Sequence, residues 1–157
     1  MSVIDFLNRK ADLLIFHGDF PGDRELLVNQ SLVPTGSGGY LCTGIQKLAQ
    51  RLLFILLTKK GTVLYRPDDG VTFMIDAERG GWRTPADVRQ SFVSSRLDLI
   101  RQMRLVEEDD DPPDEQVNDV QLITLSILPD RVGIKIKLIS EAGTDYTFLT
   151  PIVVPVK

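Results

Sequence analysis

The sequence predicts an α+β fold with two main helices, an N-terminal hairpin and a C-terminal antiparallel β-meander. Residues 44–58 carry apolar side chains at helical spacing, and residues 85–106 do so again. Beyond residue 115 the apolar period changes from helical to two, and turn residues separate the alternating runs. We therefore expect the helices in the middle of the chain and the sheet in its last third.

Size and composition favour a single domain that spans residues 1–157. The chain has 157 residues, of which 43% are apolar and 25% charged, which is an ordinary globular composition. We expect a hairpin and linker in residues 1–40, a helical part in 41–110 and the meander in 111–157. The three parts would share one core, because a chain of this length can bury one of normal size.

Charge and hydropathy argue against two classes of partner. The formal net charge of -4 disfavours nucleic acid as the main partner, because counterion release needs a dense Lys/Arg surface. No apolar run approaches the roughly 18 to 20 residues of a membrane span. No signal peptide is visible at the N-terminus. We therefore expect a soluble protein made in the cytoplasm.

The first 40 residues contain two short apolar runs. Residues 11–16 and 25–28 flank a segment with Pro-Gly and Gly-Asp pairs, which are typical of turns. This pattern predicts a hairpin with a long loop. A Gly-rich stretch over residues 34–39 follows, and it predicts a flexible connection to the first helix.

The first main helix is predicted over residues 44–58. Thr43 precedes it as a candidate N-cap, and Lys59-Lys60-Gly61 places cations and then glycine where the helix should stop. Its core-facing side is expected to comprise Ile45, Leu48, Ala49, Leu52, Ile55 and Leu56. Two short segments, residues 62–66 and 71–75, then flank a Pro-Asp-Asp-Gly turn.

The middle helix has two apolar stripes. Thr84 can cap it, Pro85 suits its first turn, and Asp87 supplies the acid of a capping box. One face collects Val88, Phe92, Leu99, Met103 and Val106, and a second stripe collects Val93, Leu97, Ile100 and the stem of Arg104. The second stripe either packs inside the domain or is covered by a partner. The arginines of this helix, Arg89, Arg96, Arg101 and Arg104, would then anchor that interface or form a solvated face.

An acidic run over residues 107–115 is expected to connect this helix to the sheet. Its acids oppose the C-terminal helix dipole, and its prolines cannot continue the helix. We expect the run to be hydrated, with unperturbed carboxyl groups. In the sheet, Val132, Ile134, Ile136 and Leu138 should line one face. The last strand, residues 145–154, is expected at an edge because prolines in and after it cannot donate ladder hydrogen bonds.

Few residues suggest catalysis or a cofactor. One cysteine and one histidine exclude most zinc sites. Gly39 and Gly44 have the spacing of a phosphate loop, but the residues that follow lack its lysine and its Ser/Thr. His17 lies in a predicted turn with no nucleophile elbow to accompany it, and Cys42 is expected to be a small buried residue. We therefore predict no catalytic residue, no cofactor and no metal.

The order of features after residue 40 resembles a known family. The helix Ile45-Gln46-Lys47-Leu48-Ala49-Gln50-Arg51-Leu52-Leu53 is followed by Leu57-Thr58-Lys59-Lys60-Gly61-Thr62 and then by Arg66-Pro67-Asp68-Asp69-Gly70. This arrangement resembles the lysozyme-like baseplate wedge family, the sheath initiators of contractile phage tails. In that family such a helix ends in a Leu-x-Thr-x-x-Gly signature that is followed by a Pro-x-x-Gly turn. The likeness covers most of residues 10–155.

The resemblance implies a structural virion protein of the tail baseplate, present as six copies and assembled in the host cytoplasm. It would link the inner wedge to the tail sheath and initiate sheath assembly by strand pairing. The implied partners are the tail sheath protein and baseplate wedge proteins, with the tail tube or hub as a further contact. Family members carry a Glu-Pro-Arg motif that contacts a neighbouring helical bundle, and of this motif only Glu115 is matched here. The expected partner interface comprises Val93, Leu97, Ile100, Arg104, Glu115, Tyr146, Phe148, Ile152 and Val154.

Two other functions stay open from the sequence. A small lysozyme-like hydrolase would use Glu107, Glu108 and Glu115 as its first candidates. Such an enzyme needs two carboxyl groups roughly 5 to 10 Å apart, one of them with a raised pKa. A cytosolic binding module without a virion role is the third reading.

Overall fold

The computed structural model describes residues 10, 12–13, 26–27 and 41–153. Its helices are α1 (Gly44–Leu57), α2 (Phe73–Glu78) and α3 (Pro85–Leu105), and a 3-10 turn follows at Pro113–Glu115. Its strands are β1 (Asp12–Leu13), β2 (Leu26–Leu27), β3 (Leu41–Cys42), β4 (Val117–Ile127), β5 (Arg131–Ser140) and β6 (Asp145–Val153). The predicted α+β class, with the helices before the meander, is confirmed.

The main sheet has the strand order β2-β6-β5-β4. β4, β5 and β6 form the predicted antiparallel meander, and Ile136 at its centre faces Leu122 on one side and Phe148 on the other. Alternate β5 side chains, from Val132 to Leu138, are buried as predicted. They belong to the same core as the buried side chains of α1 and α3. The sheet therefore buries one face against the helices.

Both main helices begin where the local sequence places them. The Thr84 hydroxyl accepts a hydrogen bond from Asp87 N (3.3 Å), and the Asp87 carboxylate accepts one from Thr84 N (2.8 Å). This capping box starts α3. α1 starts after Thr43, whose side chain makes no capping hydrogen bond. A group other than the Thr43 side chain therefore accepts the hydrogen bonds of the first amide groups of α1.

The N-terminal strands pair differently from the prediction. β1 pairs antiparallel with β3, and β2 pairs parallel with β6. The described residues of the two apolar runs thus do not form a hairpin with each other. For β2, a physical reason is that an isolated two-stranded hairpin is marginal in water, whereas a short strand that joins a packed sheet gains from burial already present. The rest of both runs, the Gly-rich stretch and His17 lie outside the described residues.

The last strand is not a fully open edge. β6 lies between β5 and β2, and β2 covers it at Phe148 and Leu149. β4 is the outer strand on the other side of the described sheet.

The short helix α2 could not be recognised from the sequence, because it has only six residues. Its Phe73 ring packs against the rings of Trp82 (4.5 Å) and Phe92 (5.9 Å).

The loop after α1 is closed around Gly70. Gly70 has φ +85°, and a Cβ there would lie 2.3 Å from the Thr58 carbonyl oxygen. The Gln102 side chain accepts a hydrogen bond from Gly70 N (2.8 Å) and donates one to Gly70 O (2.6 Å). Val71 N donates to Thr58 O at 3.0 Å. The threonine of the helix-ending signature and the glycine of the following turn therefore hold the loop against both α1 and α3.

Substituting Gly70 with alanine should destabilise the fold more than substituting Gly61. Both glycines have φ +85°, so each alanine variant carries a left-handed penalty of about 1–2 kcal/mol. Only Gly70→Ala adds a clash with backbone, since nothing lies within 4 Å of a Cβ at Gly61. The added cost should be about 1–3 kcal/mol. Equal losses of unfolding free energy in urea titrations would show that the close approach to Thr58 is not a constraint.

Candidate docking surfaces

α3 buries one face and leaves part of its second stripe in water. Val88, Phe92, Leu99 and Met103 are buried in the core as predicted. On the second stripe, Val93 is 56% exposed and Leu97 is 73% exposed. Two neighbouring turns of a well-packed helix therefore present apolar side chains to solvent.

The ends of the two predicted stripes differ from expectation. Ile100 is buried, so its side chain is not presented to a partner. The exposed Arg104 guanidinium lies 3.9 Å from the Glu141 carboxylate. Val106 is exposed instead of buried, because α3 ends at Leu105 and the chain turns away. The open part of the second stripe is therefore Val93 and Leu97, in the third and fourth turns of α3.

The four arginines of α3 have different surroundings. Arg96 donates to the Val120 carbonyl oxygen (2.8 Å) and pairs with Asp119, so it fastens α3 to β4 instead of facing a partner. Arg101 pairs with Asp98 on its own helix at 2.6 Å. Arg89 is exposed and, among the described residues, has no carboxylate at ion-pair distance. Arg101 and Arg104 are thus each near a carboxylate, that of Asp98 or of Glu141, and Arg89 is the arginine of α3 that the described carboxylates leave unpaired.

Exposed apolar side chains also lie at one end of the sheet, namely Ile127, Leu128 and Val153. Ile127 is paired with Val132 of β5, and Val153 with Arg131 of the same strand, so the end of β4 and the end of β6 flank the start of β5. Because Arg131 and Val132 are consecutive, Ile127 and Val153 project from opposite faces of the sheet. We call these three residues the sheet-end patch.

The β6 residues predicted at the interface lie mostly in the core. Phe148 and Ile152 are buried, and their side chains are therefore not available to a partner. Tyr146 is half-buried, and this burial raises the pKa of its hydroxyl to about 12. Phe148 and Ile152 are buried because the pleat turns alternate side chains of a strand towards the helices. Val154 lies outside the described residues.

Glu115 is an internal helix cap and not a surface contact. Its side chain is only 1% exposed, and it accepts hydrogen bonds from Gly44 N (2.8 Å) and from Lys47 Nζ (2.7 Å). Lys47 Nζ also donates to the Lys10 carbonyl oxygen at 2.8 Å. A carboxylate at a helix N-terminus satisfies free amides and opposes the helix dipole. The N-terminus of α1, considered above for phosphate binding, is thus bound by an anionic group of the same chain.

The acidic run is not uniformly hydrated, in contrast to the prediction. Besides Glu115, Asp111 is buried, and its carboxylate lies 3.6 Å from the Arg51 guanidinium. Burial raises the pKa of the Glu107 carboxyl, which also accepts a hydrogen bond from Val117 N at 2.6 Å. Glu108 is exposed and pairs with Lys10. Each of the three glutamates considered for hydrolysis is thus engaged by a backbone amide or a lysine.

Two further features bear on possible chemistry. Cys42 is buried, and burial raises the pKa of its thiol to about 11, so the thiol is protonated near neutral pH. Among the described side chains, no group of three or more His, Cys, Asp or Glu is arranged to hold a metal ion.

Within the same part of the chain, no helix is both long and apolar enough to cross a membrane.

Sequence reasoning missed a groove and a strained loop residue. The groove, of about 440 Å³, lies between α1, the loop that follows it and the end of α3, and its apolar lining includes Phe54, Val63 and Leu105. Tyr65, in the same loop, has φ +65° and is 91% exposed. No local pattern could reveal the groove, because its walls come from separate segments. Nor does a tyrosine suggest a positive φ, since glycine or asparagine is usual there.

Comparison with known proteins adds little information about the family or the function of this chain. No protein-family model matches the chain, and no curated protein matches it. The chain is similar to a solved structure of a Geobacter sulfurreducens protein whose assignment as a tail lysozyme is provisional. The TM-score is 0.41 and the identity 15%, over 71% of this chain and 92% of that chain. This degree of similarity carries no argument about the function of the present chain.

Removing the charge of Glu115 should destabilise the protein strongly. Glu115→Gln leaves Lys47 buried without its counterion, which typically costs about 3–5 kcal/mol of unfolding free energy. Glu108→Gln is the matched control, because the Glu108 pair with Lys10 is exposed and should leave stability nearly unchanged. The double variant Lys47→Met/Glu115→Leu should recover much of the loss. Chemical denaturation measures the unfolding free energy of all three variants. Equal losses for Glu115→Gln and Glu108→Gln would contradict the assignment of Glu115 as a buried partner of Lys47.

Proposed function

We propose that this protein is a structural component of a contractile tail baseplate, which docks to neighbouring subunits through α3 and to the tail sheath through the end of its sheet. The single observation that carries the docking role is the exposure of Val93 and Leu97 on a helix whose opposite face is in the core. The tail assignment itself is supported by the sequence resemblance described above.

The helix is well suited to bind a partner without rearranging. Its start is fixed by the capping box, and Arg96 ties its middle to β4. A helix held in one orientation loses little conformational entropy when a second helix packs on it. Apolar side chains on such a face are typical of helix-to-helix docking. This is the contact that we assign to the baseplate wedge.

The sheet-end patch is the proposed contact with the tail sheath. Strand addition needs a sheet edge whose backbone groups are unpaired, and apolar side chains beside that edge add to the contact. Ile127, Leu128 and Val153 supply exposed apolar side chains at one end of the sheet. Among the described residues, β2 covers β6 at Phe148 and Leu149 only. We therefore place the incoming strand beyond these two residues, towards Val153.

We propose no catalytic role for this chain. Glu107 has the raised pKa that a general acid requires. The other two candidate glutamates are bound by lysines, Glu108 to Lys10 and Glu115 to Lys47. The proposed structural role requires only the exposed side chains of α3 and of the end of the sheet.

Leu97→Asp should abolish incorporation into baseplates while leaving the protein folded, because it places a charge in the apolar contact with the wedge. Leu64→Asp is the control, since Leu64 is similarly exposed on the loop after α1. Assembled particles are isolated and their protein content is measured, and circular dichroism checks the fold. Particles that contain the Leu97→Asp variant at normal levels would refute docking through α3.

Val153→Asp, combined with removal of residues 154–157, should permit incorporation but prevent sheath assembly. A larger deletion is unsuitable, because β6 pairs with β5 from Asp145 to Val153 and contributes core residues. Sheath length on the variant particles is measured by electron microscopy. Sheaths of normal length and number would rule out initiation at the sheet-end patch.

The purified protein should not degrade bacterial cell walls. The assay measures release of soluble fragments from peptidoglycan, with lysozyme as the positive control and the Glu107→Gln variant as the matched negative control. Turnover by the native protein that disappears in Glu107→Gln would favour the hydrolase instead.

A further inference from the structure

The short strand β1 lies beside the start of α1 and makes little secondary structure of its own. Asp12 and Leu13 pair with Cys42 and Leu41 of β3, and these two strands form a sheet apart from the main one. A two-stranded pair is marginal in water even when it is longer than this one. Contacts outside the pair must therefore help to keep β1 in place. We call Lys10, Asp12 and Leu13 the β1 strap.

Charge contacts of Lys10 supply part of this hold. The Lys10 ammonium pairs with the carboxylates of Glu108 and Asp110, in the acidic connection after α3. All three side chains are more than half exposed, so each pair is weak and is screened by dissolved salt. The Lys10 carbonyl oxygen also accepts the hydrogen bond from Lys47 Nζ. The strap is thus fastened to the folded core by two exposed ion pairs and one backbone acceptor.

The strap borders two features that are closed to solvent or narrowed by it. Asp12 is the strand partner of Cys42, whose side chain is fully buried. Burial and, after it, the charge of Asp12 raise the pKa of this thiol, so the Asp12 carboxylate lies near the sulfur. Asp12 also lines the groove between α1 and the end of α3, together with Arg51 and Phe54. Movement of β1 away from β3 therefore uncovers Cys42 and widens the groove.

Such a movement leaves the main interior contacts in place. The described core side chains come from residues 48–152, in the helices, the loop after α1 and the main sheet. The Glu115 carboxylate keeps both Gly44 N and Lys47 Nζ when the strap is absent, because neither contact involves β1. A segment with few buried contacts and exposed ion pairs belongs to the part of a protein that opens locally. The strap has this character, whereas α1 and α3 do not.

We infer that the β1 strap is a salt-sensitive cover, which opens in the folded protein and so controls access to Cys42 and to the groove. In the closed form, Lys10 is paired with Glu108 and Asp110 while β1 is paired with β3. Raised ionic strength weakens the ion pairs, and β1 then leaves β3 because the remaining strand pairing is too short to hold it. This device goes beyond the docking role proposed for α3 and does not depend on it.

Alkylation of Cys42 by iodoacetamide measures the opening in the full-length protein, because the chain contains a single cysteine. The reagent is uncharged, so added salt acts on the protein and not on the approach of the reagent. Glu108→Gln/Asp110→Asn removes both ionic partners of Lys10 and should raise the alkylation rate about fivefold at low salt. Added salt should speed alkylation of the native protein towards the rate of this variant, and should change the rate of the variant little.

A matched control separates the strap from a general effect of charge. Glu78→Gln/Asp130→Asn removes two carboxylates from exposed ion pairs elsewhere, those with Lys59 and Arg131, and should be alkylated at the native rate. Urea separates local from global opening. Local opening exposes little surface, so the alkylation rate should hardly change with urea below the unfolding transition. Thermal unfolding checks that both double variants remain folded.

Two results would overturn the inference. Equal alkylation rates in the native protein and in Glu108→Gln/Asp110→Asn, at low and at high salt, would show that the contacts of Lys10 do not hold a cover over Cys42. A rate that rises steeply from the lowest urea concentrations would show that Cys42 is reached only by global unfolding. Neither result bears on docking through α3, which the incorporation of Leu97→Asp tests separately.

Discussion

The buried pair of Lys47 and Glu115 is the contact on which the arrangement of this protein depends. Two ions that are removed from water need each other, and Glu115 also receives the free amide of Gly44. Because β4 begins two residues later, at Val117, the pair sets where the sheet starts relative to α1. The acidic connection is thus a structural joint between the helical part and the meander, although its composition alone is typical of a solvated linker.

A second polar contact determines which side of α3 faces outward. Arg96 reaches the Val120 carbonyl oxygen and the Asp119 carboxylate, so it holds α3 across the start of β4. With Phe92 and Leu99 packed in the core, the helix cannot rotate without breaking this contact. Val93 and Leu97 are consequently kept in solvent. The exposed stripe thus results from the fixed rotation of a packed helix.

The local features of this chain were predictable because their causes are local. The capping box joins residues three positions apart, and the alternation in β5 follows from the pleat of a single strand. The two stripes of α3 could likewise be read from helical spacing. The sequence could not say which members of the second stripe stay exposed, since burial of Ile100 and exposure of Leu97 depend on what other segments cover.

The sequence by itself determined the α+β class, the bounds of the two long helices and the inward face of β5. Only the tertiary structure decided the partners of the short N-terminal strands, the covering of β6 and the role of Glu115. Glu115 meets Lys47 across 68 residues of chain, and a glutamate in an acidic run gives no local sign of burial. Short-range hydrogen bonds and periodic burial are encoded by neighbouring residues, whereas long-range pairing is decided by which distant segments gain most from leaving water together.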